Sequence, residues 1–291
     1  MSRGATELRH AWRIVALFAV VGAPGAAAQD DCYPPPDSHE AQTLAIYSVP
    51  LAYSAAASPR RMTAGRVQVG LELTWLPTID SVTATPTVCR PGKGPENTDL
   101  LVAFPRPRVL IALPAGFSVD ASWVPPVRLS GVKANLFGIA LGKAFALGAD
   151  ATLRVRAHGT FGQINAPITC DQDALADPNS ECYQGTLSDD RYQPNIFGLD
   201  LAMGFSLAGG KLSPYLGGGY NRLQPRFQVN FTNSAGETDN RKVIVDLNRG
   251  VLFGGMTWTP SRRIHLSGEI YGALGDAVTG RLFAQSSIGN P

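Results

Sequence analysis

Apolar and polar residues alternate strictly over segments of about ten residues, and this pattern limits the fold of the chain more than any other feature. The alternation is clearest in residues 67–75, 151–162 and 195–206, and it recurs over shorter lengths in residues 117–123 and 264–270. Successive side chains of a β-strand point to opposite faces. Each segment is therefore predicted to be a strand with one apolar face and one polar face.

The composition of the second face separates two all-β architectures. A soluble β-sandwich also alternates, but the face that meets water is rich in Lys, Glu and Thr. Here that face carries mostly Gly, Ser, Ala and isolated charges, and charged residues make up only 16% of the chain. Such a face suits the crowded lumen of a barrel that is apolar outside and polar inside. We predict a closed antiparallel transmembrane β-barrel, with a secreted soluble β-protein as the alternative.

Residues 1–28 have the three parts of a secretory signal peptide. Arg3, Arg9 and Arg13 make a positive start, an apolar run follows at residues 14–22, and small residues at 26–28 mark a cleavage site. The run is too short to span a bilayer, and no continuous apolar stretch of helix-spanning length follows residue 28. The chain is therefore predicted to be exported and to lack a transmembrane helix.

The charge balance argues against a nucleic-acid partner. The whole chain has 25 Lys+Arg and 23 Asp+Glu. Removal of the signal peptide takes away three Arg and Glu7, which leaves equal numbers of basic and acidic residues. A protein that binds nucleic acid carries instead a clustered excess of Lys and Arg.

Ten candidate strands define a predicted barrel over residues 65–284. They are residues 65–76, 100–113, 117–125, 131–145, 150–163, 194–206, 211–231, 240–258, 263–273 and 278–284. Tight turns at 114–116, 146–149, 207–210 and 259–262 alternate with longer connections. Barrels of this class have short periplasmic turns and longer outer loops, so both ends of the barrel are predicted to lie in the periplasm.

Tryptophans mark the expected levels of the two membrane interfaces. Trp75, Trp123 and Trp258 each lie at the end of a candidate strand. Aromatic residues collect at both interfaces of membrane proteins. On this topology Trp75 and Trp123 are predicted at the outer interface and Trp258 at the periplasmic one.

One candidate strand, residues 240–258, departs from the alternation. If the phase of Val243, Val245 and Leu247 continued, Arg249 would face lipid. A bulge at Arg249-Gly250 would reverse the phase, so a bulge or a position near the rim is predicted there.

The signal peptide, the alternating strands and residues 212–220 (LSPYLGGGY) together resemble the small outer-membrane β-barrel proteins of Gram-negative bacteria. The resemblance covers residues 65–284 and implies an outer-membrane location, contact with outer-membrane lipid and insertion by the outer-membrane assembly machinery. Such proteins commonly end on an aromatic residue that this machinery reads. Here Phe283 is followed by further residues, so either the last strand ends early and leaves a tail at 285–291, or insertion uses an internal signal.

Residues 29–64 precede the predicted barrel. Asp37 with Glu40 three residues later is typical of a helix start, and Pro50 would end the helix. Alternation at residues 45–51 would suit a strand instead. We favour a short helix, which belongs either to a periplasmic segment or to a plug within the lumen.

Four cysteines in an exported chain indicate disulfides. Cys170 and Cys182 bracket one outer loop and are predicted to pair. This leaves Cys32 with Cys89, which lies in another outer loop. The two residues can meet only if residues 29–64 pass through the lumen, or if the predicted topology is wrong.

Charged residues of both signs fall on the predicted lumen faces. They are Glu72, Asp120, Arg154, Arg156, His158, Asp200 and Glu269. Polar residues inside a membrane protein normally pair with one another, which favours a salt-bridged interior. The alternative is a narrow, porin-like channel whose charges select small solutes. A third hypothesis makes the long outer loops a receptor or adhesin surface.

Enzymatic chemistry has weaker support in the sequence. His265, Ser267 and Glu269 have the residue types of a nucleophilic triad, with the His-x-Ser spacing of outer-membrane lipid A deacylases, but they follow a periplasmic turn. His158 lacks the paired Asp residues of the outer-membrane protease class. We therefore predict no enzymatic activity, no cofactor and no metal. The acidic loop at Asp171, Asp173, Asp177 and Glu181 lacks the glycine of an EF-hand.

Overall fold

Ten antiparallel strands form a closed barrel in the computed structural model, which describes residues 31–288. We number them β1–β10: Val67–Trp75, Ala103–Ala112, Phe117–Val124, Val132–Leu147, Ala151–Ala166, Ile196–Phe205, Leu212–Leu223, Leu247–Trp258, Ile264–Ala273 and Ala277–Ile288. Each strand pairs with its neighbours in sequence, and β10 pairs with β1 to close the barrel. The predicted fold class is confirmed. The predicted signal peptide, residues 1–28, lies outside the described residues.

The two ends of the barrel differ in the length of their connections. At one end the turns are tight, and two of them are the 3₁₀ turns Pro114–Gly116 and Ala208–Gly210. Gly116 and Gly210 adopt φ angles of 79° and 83°, a left-handed conformation that only glycine reaches without strain. The other end carries the long connections 76–102, 167–195 and 224–246. It is therefore the outer end, as the loop lengths predict.

Short elements lie in the outer connections. The helix α2 is Gln172–Ala176, and the short strands are Arg128–Leu129, Asp190–Gln193, Arg226–Gln228, Phe231–Thr232, Thr238–Asp239 and Lys242–Ile244. Asp190–Gln193 pairs with the outer end of β5 and extends the wall there. Arg226–Gln228 pairs with Asp190–Gln193, and Lys242–Ile244 pairs with Arg226–Gln228, so the same sheet continues. The outer face is thus built partly from sheet that rises beyond the barrel.

The exterior of the barrel is apolar along every strand. Leu71, Ile139, Leu199, Leu216 and Ile270 each expose about half or more of their surface, between 49% and 63%. A continuous apolar belt of this kind is not stable against water, and a closed barrel leaves no unpaired edge in lipid. The structure therefore supports the outer-membrane location predicted from the sequence. The structure places the exposed Trp75 and Trp123 at the outer ends of β1 and β3, and Trp258 at the periplasmic end of β8.

The predicted end of the last strand, and with it the predicted start of the tail, is wrong. We expected the barrel to stop at residue 284 and a tail to follow, but β10 continues to Ile288. Its last residues pair on both sides, because Val67 lies opposite Ile288 and Ile264 lies opposite Ser286. Since both neighbouring strands reach this edge, ending β10 at 284 would leave their hydrogen-bonding groups unpaired.

Of the two outcomes predicted at Arg249-Gly250, the bulge is absent and the position near the rim is present, because Arg249 is the third residue of β8 from its outer end. Strand β8 pairs in unbroken register with β7 from Leu247 opposite Leu223 to Trp258 opposite Leu212. Arg249 points inward, where its guanidinium binds the Asp276 carboxylate. The bulge was predicted on the assumption that apolar residues always face lipid, whereas Val243, Val245 and Leu247 are buried in the interior of the outer half.

The N-terminal segment begins with the helix α1, His39–Leu51. Its N-cap residue is Ser38, whose hydroxyl accepts a hydrogen bond from the Ala41 N–H, and not Asp37 as predicted. Glu40 does not complete the cap, because its carboxylate accepts hydrogen bonds from the backbone N–H groups of Val88 and Cys89. Within residues 31–288, neither helix is long and apolar enough to cross a membrane.

Candidate functional site

Residues 32–64 pass through the barrel from the outer end to the periplasmic end. At the outer end Cys32 forms a disulfide with Cys89 and hydrogen bonds with the outer strand Lys242–Ile244. At the periplasmic end the Ser58 N–H donates to Thr257, the residue before Trp258 in β8. We call residues 32–64 the lumen segment. The Cys32–Cys89 disulfide is therefore formed in the way that the predicted topology allows, with the N-terminal segment passing through the lumen.

The outer half of the lumen is an apolar core around α1. Leu44, Ala45 and Val49 of the helix are buried with inward residues of the wall. Those wall residues include Leu136, Ile196, Leu223, Val251 and Phe253. Helix burial removes the apolar face of α1 from water and stabilises the segment in the barrel.

The periplasmic half of the lumen is polar and centres on Tyr53. The Tyr53 hydroxyl donates to Asp120 at 2.6 Å, and the Arg108 guanidinium lies 4.5 Å from the centre of the tyrosine ring. The Tyr53 carbonyl accepts a hydrogen bond from Arg156, and the Ser54 hydroxyl donates to Glu269. The lumen segment therefore contacts several strands of the wall at one level.

The register of the wall places three ion pairs directly across neighbouring strands. Glu72 lies opposite Arg106, Arg156 opposite Asp200, and Glu269 opposite Arg281. The pairs have N–O distances of 3.6, 2.8 and 3.6 Å, respectively. Cross-strand pairs of opposite charge are the ordinary way in which neighbouring strands stabilise one another. Arg108 adds a bridge, because it binds both the Glu72 and the Asp120 carboxylates.

All seven charged residues predicted on the lumen faces lie inside the barrel and are buried. The remaining two make other contacts: His158 Nε2 lies 3.5 Å from Asp200, and Arg154 donates to the Ala57 carbonyl at 3.1 Å. The predictions missed Arg106, Arg108 and Arg281. A signal was present for the first two, since Arg106 and Arg108 alternate with Pro105, Pro107 and Val109 in β2.

The residues considered as a nucleophilic triad do not form one. His265 contacts Arg60 at 2.9 Å, and Ser267 shares a hydrogen bond of 2.9 Å with Thr257. Glu269 is engaged by Ser54 and by Tyr215. Within the described residues no hydrogen bond joins any two of His265, Ser267 and Glu269.

Arg90 ties three outer connections together above the barrel. Its buried guanidinium pairs with Glu96 at 2.9 Å in the same connection, with Glu181 in the second, and with Asp239 at 3.7 Å in the third. Lys93 adds a contact with Glu181 at 2.6 Å. The predicted disulfide Cys170–Cys182 is present and closes the second connection. We call this assembly the outer cap.

Two of the four acidic residues considered as a possible cation site in the second connection, Asp171 and Glu181, have structural partners. Asp171 caps α2 by accepting from the Ala174 N–H, and Glu181 binds Arg90 and Lys93. In the part of the chain that the structure describes, no group of three or more His, Cys, Asp or Glu residues is arranged to hold a metal ion.

A cavity of about 70 Å³ lies between α1 and the wall, beneath the outer cap. Its lining is mainly apolar, and it includes Leu44, Tyr47, Leu101, Phe104, Val132 and Ile164. Thr43, Glu96 and Thr98 contribute polar groups to the lining. A mainly apolar cavity with a few polar groups is the usual form of a small-molecule site.

The Glu96 carboxyl gives the outer cap a dependence on pH. Burial raises the pKa of Glu96 from 4.5 to about 7, although Arg90 opposes this shift. The folded protein keeps the proton up to about pH 7, whereas the unfolded chain loses it near pH 4.5. The folded state therefore loses stability as the pH rises between these values, by about 3 kcal/mol at most.

Glu96→Gln is expected to remove this loss. The free energy of unfolding is measured in denaturant at pH 5 and at pH 8. The decrease between the two pH values should be smaller in the variant than in the parent protein, by about 2–3 kcal/mol. Glu237→Gln, a change at an exposed outer residue, is the control. An equal pH dependence in the Glu96→Gln variant and the parent would contradict the raised pKa.

Comparisons with known proteins found only solved structures of low identity and low TM-score. No family model matches the chain, and no curated protein matches it. Among solved structures, the attachment invasion locus protein Ail of Yersinia pestis is 10% identical with a TM-score of 0.32, over 77% of this chain and 99% of Ail. The N-terminal β-barrel domain of Pseudomonas aeruginosa OprF is 10% identical with a TM-score of 0.29, over 78% of this chain and 100% of that domain.

The KdgM porin is a further similar structure, 9% identical with a TM-score of 0.31, over 76% of this chain and 99% of KdgM. At these scores, the strand pairing within this chain, and not the likenesses, establishes the barrel.

Proposed function

We propose that this protein is a non-enzymatic outer-membrane barrel that its own N-terminal segment keeps closed, so that its role is structural and not that of an open channel. The observation that carries this proposal is the path of residues 32–64 through the whole lumen. Polar contacts hold the segment at the level of Tyr53, and the Cys32–Cys89 disulfide anchors it at the outer end.

The contacts of the lumen segment favour a permanently filled interior. Arg106 and Thr160 both donate to the Leu51 carbonyl, at 3.0 and 2.9 Å. Thr257 accepts from the Ser58 N–H, and Arg154 reaches the Ala57 carbonyl. These hydrogen bonds use backbone groups of the segment that would otherwise be buried without partners, so displacing the segment would expose unpaired groups on both sides.

A loop-borne receptor or adhesin is the second candidate, and the outer cap favours it. Two disulfides and the buried Arg90 cluster hold the outer connections in one arrangement. Rigid loops lose less conformational entropy when they bind a partner than mobile ones do. The closed barrel would then serve as the scaffold that presents this surface, surrounded by outer-membrane lipid.

Single-channel recording in a planar bilayer tests the closed barrel. The refolded mature protein is expected to insert without unitary current steps, and insertion is checked separately by the heat-dependent change in gel mobility. Stable steps at a constant unitary conductance would contradict the proposal and favour the narrow solute channel. The reversal potential under a salt gradient would then report the sign of the charges along that channel.

A further inference from the structure

In the part of the chain that the structure describes, the pairing between β2 and β3 stops before the outer ends of the two strands. The ladder between β2 and β3 ends where Arg108 lies opposite Ser122. Strand β2 extends five residues further toward the outer end, and β3 extends two, yet no pairing joins them there. On its other side β2 pairs with β1 over its whole length. The gap therefore belongs to the seam between β2 and β3 and not to the end of the strand.

Backbone directions show why the seam stays open. Ala112 donates its N–H to Arg66 on the β1 side, and Leu113 donates to Phe117 on the β3 side. Along an antiparallel strand, successive residues direct their backbone N–H and C=O groups to opposite neighbouring strands. Odd-numbered residues of β2 therefore point their backbone groups at β3. At Pro105 and Pro107 the nitrogen that points across the seam carries no hydrogen and cannot donate.

The opposite edge of the seam has the same deficiency. Phe117 accepts from Leu113, so the odd-numbered residues of β3 point at β2. Continuing the register would place Trp123 opposite Pro107 and Pro125 opposite Pro105. Even-numbered residues of β2 face β1, so Arg108 opposite Ser122 is a position held by the hydrogen bonds on either side of it, and the outer one is donated by the Trp123 N–H to the Pro107 carbonyl. The pair Trp123–Pro107 thus has one hydrogen bond where two are usual, and Pro125 opposite Pro105 can form none. We call Pro105, Pro107 and Pro125 the proline seam.

The proline seam lies at the outer interface of the membrane. Trp123 borders it on β3, and Trp75 on β1 lies opposite Ala103, the first residue of β2. Beside the seam, Val102 and Val127 are largely exposed, at 77% and 58%. A groove on the exterior, lined by Pro107, Trp123 and other apolar residues, leads to the lower end of the seam.

The apolar cavity lies on the inner side of the same part of the wall. Phe104, which precedes Pro105, lines the cavity, and so does Leu101. Val132, near the outer end of β4, lines it as well, and Val124 at the end of β3 packs against the same core. Apolar side chains thus lie on both sides of a part of the wall where the ladder between β2 and β3 is incomplete.

We propose that the proline seam is a lateral opening and that the cavity behind it receives the end of an acyl chain from a lipid of the outer leaflet. The occupant is a hydrocarbon chain because the exterior groove and most of the cavity lining are apolar. A volume of about 70 Å³ takes only the last few carbons of a chain. The source is the surrounding leaflet because the seam faces lipid, while the outer cap covers the cavity from above.

Photo-crosslinking from a lipid tail tests this site in the complete mature protein. The protein is reconstituted in phosphatidylcholine vesicles that contain a phospholipid with a diazirine at the end of one acyl chain. After illumination, peptide mass spectrometry is expected to find label on inward residues of the cavity, such as Leu44 and Phe104, and on outward belt residues, such as Leu71 and Ile139. Label on the belt residues alone would overturn the proposal.

Variants separate entry through the seam from labelling by other routes. Val132→Trp and, independently, Leu101→Trp fill the cavity and are expected to abolish the inward label while the belt label stays. Pro105→Thr with Pro107→Thr restores two donors across the seam and is expected to lower the inward label. Pro214→Thr is the matched control, because Pro214 lies in β7 opposite Met256 within a continuous ladder. Its inward label should equal that of the parent.

Two results would refute the lateral opening. One is inward label that survives in a cavity-filling variant that shows the normal heat-dependent gel shift. The other is an equal loss of inward label in the Pro214→Thr control and the seam variant. The crosslinking readout does not depend on conductance, so the lipid site and the closed barrel are tested independently of each other.

Discussion

Deleting residues 29–64, together with Cys89→Ser, is expected to turn a silent barrel into a conducting one. The deletion removes α1 and the irregular stretch of chain around Tyr53, which together fill the lumen. The wall keeps its own ladder without them, because β1 begins at Val67 and pairs with β10 and β2. The planar-bilayer recording should show stable unitary steps in the deletion variant and none in the parent protein.

The wall predicts the selectivity of the opened barrel. Apart from the Arg249–Asp276 pair at the outer end, five buried arginines face the lumen from the strands, against four buried carboxylates. They are Arg106, Arg108, Arg154, Arg156 and Arg281 against Glu72, Asp120, Asp200 and Glu269. Since rings of basic side chains favour anions, the reversal potential should show weak anion preference.

A disulfide variant in the outer cap is the control for the deletion. Cys170→Ser with Cys182→Ser loosens one outer connection but leaves the lumen segment in place, so it should remain silent. If the deletion variant inserts with a normal gel shift and still passes no current, the lumen segment is not what closes the barrel.

Glu72→Leu is expected to lower the free energy of unfolding by about 3–5 kcal/mol, the cost of removing one partner from a buried ion pair. Glu72 is fully buried and binds Arg106, Arg108 and the Thr74 hydroxyl. The leucine leaves the Arg106 charge without its cross-strand carboxylate, whereas Arg108 keeps Asp120. Urea titration of the protein in lipid vesicles measures the change.

Two further variants make the Glu72 result specific. Glu237→Leu, at an exposed position of an outer connection, should change the free energy of unfolding by no more than about 0.5 kcal/mol. Adding Arg106→Met to Glu72→Leu should recover part of the loss, because an apolar pair replaces an uncompensated charge. A loss below about 1 kcal/mol in the Glu72→Leu variant would show that water compensates the arginines in the lumen.

The wall of this barrel could be predicted because its information is local. Lipid outside and a crowded lumen inside impose a period of two on every strand, and that period identified Glu72, Asp120, Arg156, Asp200 and Glu269 as inward residues. Tight turns and strand-end tryptophans supplied the orientation. The prediction failed where the environment departed from this rule: for the bulge at Arg249, because the outer half of the interior is apolar, and at residues 285–288, because pairing partners extend the last strand.

The interior could not be read from the same pattern. The lumen segment has one short helix followed by an irregular chain, and neither has a sequence pattern from which its contacts could be predicted. Its strongest sequence clue was the cysteine count, since Cys32 and Cys89 can meet on this topology only through the lumen. Tyr53 contacts Asp120, Ser54 contacts Glu269 and Arg90 contacts Glu181, which lie 67, 215 and 91 residues away in the chain. These contacts exist only because the lumen segment and the outer connections are brought against a closed wall.

By itself, then, the sequence determined a closed antiparallel barrel of about ten strands with its short turns at one end and its apolar face outward. The tertiary structure decided what fills that barrel, which arginine meets which carboxylate, and where the wall lacks hydrogen bonds. The physical reason is that alternation and turn residues act between near neighbours in the chain. Closure brings together side chains from all ten strands, and only their relative register sets which of them touch.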